Sequence, residues 1–121
     1  MISKEEQEKY LLSRIGRRVN FIYPDGEEKR TGRLADRVVC FSGEASKAVY
    51  WNVIDLIKFE NENEDWIRMS YYRYRKADGR WIFAGQTSLT DPLSNIAKLF
   101  NKGVREKEWI RSLFSKNLLG K

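Results

Sequence analysis

Histidine is absent from the entire 121-residue sequence. Its absence removes the commonest general base near neutral pH, a frequent metal ligand and the usual physiological pH switch. Ser-His and Cys-His nucleophile pairs are excluded with it, as are histidine-ligated zinc and iron sites. Only carboxylate, lysine, tyrosine or arginine chemistry survives for catalysis. The expectation is a non-enzymatic protein with neither cofactor nor metal. Cysteine is nearly absent too: Cys40 stands alone, so no intramolecular disulfide and no cysteine-based zinc site can be completed from this chain. Within Val38-Val39-Cys40-Phe41 it reads as a small buried hydrophobe, with no imidazole to activate it. With 2 prolines and 8 glycines against 41% hydrophobic residues, the chain is too apolar and too well patterned to be disordered. No stretch approaches the ~20 apolar residues of a membrane span, and the start at Met1-Ile2-Ser3-Lys4-Glu5-Glu6 lacks the apolar run of a signal peptide. A cytoplasmic protein without a membrane partner is expected. The glycines are too scattered for a phosphate-cradling loop.

What is present is charge, chiefly basic. The net charge of +6 comes from 23 basic and 17 acidic residues, and residues 90–121 alone hold seven basic against three acidic side chains. Such a balance favours an anionic partner such as nucleic acid, although it also serves plain solubility. The length suits one domain over 1–121, divided into an N-terminal helix (1–16), an antiparallel sheet or barrel (17–90) and a C-terminal helical pair (91–119).

Ser3 followed by Glu6 has capping-box spacing and predicts a helix from that point, with Gly16 suited to its C-terminal stop. The apolar group Tyr10, Leu11, Leu12 and Ile15 would lay its last turns across a sheet. The period then changes to two, because Val19, Phe21 and Tyr23 alternate with Arg18, Asn20 and Ile22. Pro24-Asp25-Gly26 supplies a turn, and Glu28 to Leu34 returns as a polar, edge-like strand. Asp36-Arg37 reads as a break before a short apolar strand, Arg37 to Ser42, with an exposed loop at Gly43 to Lys47. From Val49 to Phe59 strand parity competes with a helical turn near Val53 to Ile57. The acidic residues Asp55, Glu60, Glu62, Glu64 and Asp65 read as a solvated turn, lacking the spacing of a calcium loop.

The strongest local signal is Trp66 to Lys76, then Ala77-Asp78-Gly79, then Arg80 to Gln86. Asp-Gly between two β-rich runs predicts a type I′ hairpin turn, with Lys76 facing Trp81 and Tyr74 facing Phe83; a three-residue loop would slip that register. Asp91-Pro92 suits an N-cap followed by the first helical residue. Leu93, Ile96, Ala97 and Phe100 then mark a helix ending at Gly103. A last amphipathic stripe follows: Trp109, Ile110, Leu113, Phe114 and Leu118.

The fold class that results is α+β: a small curled antiparallel sheet or open barrel of about five strands, with an N-terminal helix and two C-terminal helices. Over residues 16–86 the strand–Pro-Asp-Gly–strand–strand opening resembles an SH3-like small barrel in architecture.

For function, the hairpin gathers rings and cations. Candidate nucleic-acid contacts are Arg68, Tyr72, Arg73, Tyr74, Arg75, Lys76, Arg80 and Trp81, because flat rings stack on unpaired bases while arginine and lysine neutralise phosphates. Arg105, Lys107 and Arg111 on the basic C-terminal helices would assist. A helix-turn-helix reader is disfavoured there, since the chain before Asp91 reads as sheet. The competing view of the hairpin is that its rings are core and its Arg–aromatic pairs only stabilise a sheet. Strand alternation puts Tyr72, Tyr74, Trp81 and Phe83 on one face and Arg73, Arg75, Ile82 and Ala84 on the other. A nucleic-acid-binding module is therefore the leading expectation, and a protein-interaction module using a sheet edge, an aromatic patch or the last helix is the alternative.

Overall fold

The fold is that of a computed structural model, which describes residues 1–22, 29–60, 65–84 and 90–113, the side chains of 21, 22, 29 and 30 excepted. The Pro24-Asp25-Gly26 turn, residues 61–64 of the acidic connector and the stripe beyond Leu113 lie outside the described residues.

Helix α1 (Lys4–Ser13) opens on the capping box: Glu6 N donates to Ser3 Oγ at 3.1 Å while Ser3 N donates to the Glu6 carboxylate at 3.4 Å. Five strands follow, β1 (Arg18–Ile22), β2 (Lys29–Glu44), β3 (Ala48–Phe59), β4 (Asp65–Arg75) and β5 (Trp81–Phe83). They form one curled antiparallel half-barrel in sequence order. Helices α2 (Leu93–Glu106) and α3 (Glu108–Leu113) are the last elements among the described residues. Among the described residues, the five strands and three helices match the α+β small barrel that the sequence predicts.

Several local expectations are corrected. Residues Gly32 to Leu34 do not form an edge: Gly32 pairs with Val19 of β1 on one side and Phe59 of β3 on the other. A Cβ at Gly32 would lie 2.9 Å from the Lys58 carbonyl oxygen, so only glycine fits without a shift. Nor is there a break at Asp36-Arg37. The strand runs on through a register shift between Leu34 and Asp36 and a second between Phe41 and Gly43. Each shift inserts one residue, Ala35 or Ser42, and such bulges bend a strand and increase its twist. The first also keeps Leu34 and Arg37, three residues apart, on one face, opposite Ile57 and Asp55. The Val53-to-Ile57 stretch is strand throughout. Asp55 is not part of a solvated turn but is fully buried in the middle of β3.

The hairpin register also differs. Tyr74 pairs with Trp81, Arg73 with Ile82 and Tyr72 with Phe83. Arg75 N donates to Arg80 O, and Gly79 N to Arg75 O, so four residues form the loop. Gly79 takes a left-handed φ of +68° while no described non-glycine residue has positive φ, which excludes type I′ at Asp78. Asp78 keeps its ordinary backbone because its carboxylate accepts from the Arg75 guanidinium at 2.6 and 3.0 Å and from Arg80 N at 3.1 Å. The two-residue slip preserves face parity.

At the other end of the chain, Asp91 is not the N-cap. Pro92 holds that position without a side-chain cap. The Asp91 carboxylate accepts instead from Ser42 and Asn52 of the sheet, at 2.6 and 2.8 Å, and from Asn95 at 3.3 Å. Burial pushes its pKa up, but these hydrogen bonds outweigh that and hold it below the ordinary carboxylate value. Gly103 does not end α2 either. It sits inside the helix, where an added Cβ would come within 2.5 Å of Ile110 Cδ1, and it lets α3 pack close.

Strand parity divides the apolar side chains between two cores. On one face Val39, Val49, Trp51, Val53, Tyr72 and Tyr74 meet Leu11 of α1. On the other, Val38 and Ile54 meet Leu99 of α2 and Ile110 of α3, with half-buried Cys40 beside them.

Candidate functional site

The side of the half-barrel covered by α1 carries a cleft of about 370 Å³. The curl of the sheet brings its two outermost strands to this one cavity: β1 supplies Arg18, Val19 and Asn20, and β5 supplies Trp81 and Phe83. Tyr10, Arg14 and Arg17 enter from the end of α1 and its connection to β1, while Leu34 and Arg37 come from β2 and Arg68 and Tyr72 from β4. Five of the twelve lining residues are arginines, four are aromatic and none is acidic.

A buried ion-pair network lies beside it. Arg37 donates to both oxygens of Asp55, at 2.6 and 3.1 Å. Arg68 donates to Asp55 Oδ2 at 2.9 and 3.3 Å. The remaining Arg37 donors reach Leu11 O at 3.0 Å and the Tyr72 hydroxyl at 2.9 Å. Leu11 O is among the last carbonyls of α1, which have no partner within the helix, so a β2 side chain completes the helix terminus. Burial pulls the Arg37 pKa down, but the hydrogen bond and charge of Asp55 more than compensate and raise it above its usual value. Two guanidinium groups thus share one carboxylate.

The aromatic wall is equally defined. Tyr10 stacks on Trp81 with centroids 4.9 Å apart and planes at 11°, and Trp81 meets Tyr74 edge-on at 5.0 Å. Phe83 lies 4.9 Å from the Tyr72 ring and carries the Arg68 guanidinium over it at 4.7 Å. Phe83 is 42% exposed and Tyr10 37%, whereas Tyr72 and Tyr74 retain 7% and 4%. The open rings are therefore Phe83 and Tyr10.

Of the residues nominated from sequence, the cleft gathers Arg68, Tyr72 and Trp81. Tyr74 is core beneath Trp81. Arg73 projects from the opposite face by strand parity. Arg75, Lys76 and Arg80 sit at the hairpin tip, where Arg75 pairs with Asp78 and Lys76 with Glu44. Arg105, Lys107 and Arg111 belong to the helices behind the sheet. Lys107 Nζ and Trp109 Nε1 each donate to Asp36 at 2.9 Å, which fastens the α2–α3 junction to the first bulge. Arg111 pairs with Glu108 and donates to the Val104 carbonyl at the end of α2. Lys107 and Arg111 are thus occupied in holding the fold.

Sequence reasoning missed Tyr10, Arg14, Arg17, Arg18 and Arg37, and it placed Phe83 among the hairpin rings without nominating it as a contact. The arginine triplet flanking Gly16 was the available signal, since Arg17 and Arg18 at the mouth of the first strand exceed what a helix terminus needs. Arg37 had no local signal, because its partner lies on another strand. The fold and site define a small half-barrel with an arginine–aromatic cleft. No family model, curated protein or solved structure matches the chain, and no helix among the described residues is long and apolar enough to cross a membrane.

Proposed function

We propose that this protein is a binding module for single-stranded nucleic acid, and that the cleft is its interface. The observation that carries the reading is the coincidence, in one concavity, of five arginines with exposed rings and no lining carboxylate. Guanidinium groups neutralise phosphates and stack on bases, and aromatic faces accept any base. Arginine is not deprotonated in proteins, so the cleft is suited to hold an anion rather than to move protons. The C-terminal helices have no direct part in this reading.

The test is binding of a labelled mixed-sequence single strand across a salt series. Affinity is expected to fall with salt, and each arginine removed from the cleft, Arg14→Ala or Arg17→Ala, should reduce the log–log slope by about 0.7. Phe83→Ala should weaken binding by about 5- to 150-fold, the equivalent of roughly 1–3 kcal/mol per stacked base. Arg75→Ala at the hairpin tip should leave binding nearly unchanged. The competing reading, a protein-docking module, draws support from Ile67 and Met69, both exposed on the opposite face of β4. Absence of any salt-sensitive binding at low ionic strength eliminates the nucleic-acid reading.

A further inference from the structure

We infer that the cleft takes one nucleoside monophosphate unit, the phosphorylated end of a strand, rather than a continuous run of internal phosphates. This inference rests on the nucleic-acid reading of the cleft and narrows its ligand.

Where the positive charge is left over is the first argument. Several basic side chains outside the cleft are matched locally, among them Arg75 with Asp78, Lys76 with Glu44, Lys102 with Glu8, Lys107 with Asp36 and Arg111 with Glu108. Inside it, Arg37 and Arg68 share Asp55, and Arg18 makes only a 3.9 Å solvent-exposed approach to Glu60. Among the described residues no carboxylate pairs with Arg14 or Arg17. The cleft thus holds two guanidinium groups, Arg14 and Arg17, whose charge is left for an anion, beside the exposed and weakly held Arg18.

Size is the second argument. About 370 Å³ falls at the lower end of the ~300–1,000 Å³ range of small-ligand pockets, a volume for a compact unit and not a groove for several nucleotides. Charge density is the third. An internal phosphodiester carries one negative charge, whereas a phosphomonoester carries about −1.5 to −2 near pH 7. A cluster of guanidinium groups favours the denser charge, and bidentate pairing suits its free oxygens. The base would lie against Phe83 or the outer face of Tyr10.

The chemistry is shared by a strand end and by a free nucleotide, so the experiment carries an arm for each. Binding is compared for 4- and 12-nucleotide strands of one sequence family bearing a 5′-phosphate, a 3′-phosphate or hydroxyl ends, for a circular single strand, and for free nucleoside monophosphates. One phosphorylated end is expected to bind at least ~10-fold tighter than the hydroxyl end, with little added by length and weak binding of the circle. Arg17→Ala, at an exposed position that leaves the core intact, should abolish the preference while retaining residual affinity. The preference should also shrink as pH falls through about 6, where the phosphomonoester gains a proton. The groups around it are Arg14, Arg17, Arg18, Arg37, Arg68, Tyr10, Tyr72 and the buried Asp55, and the chain has no histidine, the side chain that ordinarily titrates there.

A circle that binds as tightly as a phosphorylated end, or affinity that climbs steadily with length, overturns the end-binding inference and leaves the broader nucleic-acid reading standing. Free monophosphates binding as tightly as strands support the phosphomonoester chemistry and assign the free nucleotide as its source. No binding in any arm overturns both.

Discussion

Asp55 neutralises Arg37 and Arg68 from a position closed to water. Removing one member of a buried ion pair leaves the others charged in a poorly solvating environment, at a cost of about 3–5 kcal/mol. Asp55→Asn is accordingly expected to destabilise the fold by about that amount in urea denaturation. A loss under ~1 kcal/mol would show that water reaches the network. At this scale the sequence is legible where the interaction is local. Ser3 and Glu6 are three positions apart and announce their capping box. Gln7 and Trp51 do not announce theirs, although Trp51 Nε1 donates to the fully buried Gln7 amide at 2.9 Å. A buried glutamine has no periodic signature, and its partner is 44 residues away.

Among the elements, the β4–β5 hairpin separates what is local from what is not. Its existence and face parity follow from alternation and the Asp-Gly pair. Its register does not, because the same two residues close a four-residue loop once Asp78 engages Arg75. That engagement has a measurable signature. The Arg75 hydrogen bonds, then the backbone bond from Arg80, lower the Asp78 pKa from 3.8 to about 2. The sign is that of a depressed carboxylate: its contribution to hairpin stability is present above pH ~3.8 and is lost as pH falls through about 2. A carboxyl-carbon NMR titration is expected to place the Asp78 midpoint near 2 and to return it towards 3.8 in Arg75→Ala. The β2 bulges belong with the register as unforeseen features. Asp36-Arg37 looks like a strand break in sequence because two adjacent charges interrupt an apolar run. In the fold the charges leave on opposite faces, Asp36 to Lys107 and Trp109 and Arg37 to Asp55.

For the molecule as a whole, the two cores share their strands. Neighbouring residues of β2, Val38 and Val39, enter different cores, as do Val53 and Ile54 of β3. Losing either core should therefore unfold the sheet that supports the other. Leu11→Ala and Leu99→Ala, both at positions fully closed to solvent, are each expected to cost about 2–5 kcal/mol. Each should retain a single transition, with tryptophan fluorescence and far-UV circular dichroism coinciding; separated transitions would make the two cores independent. By itself the sequence determined the α+β class, the two-residue and helical periods and the parity of the hairpin, because capping, alternation and turn chemistry act over a few residues. It also determined the absence of imidazole chemistry. Only the tertiary structure decided which cations share a concavity. The Arg14, Arg17 and Arg18 segment, Arg37 and Arg68 come from three separate parts of the chain, and they meet because bulges curl β2 and because α1 covers one face while α2 and α3 cover the other. Both faces are apolar enough to be covered, so the choice rests on long-range packing, including the buried Arg37–Asp55 pair, that no local pattern encodes.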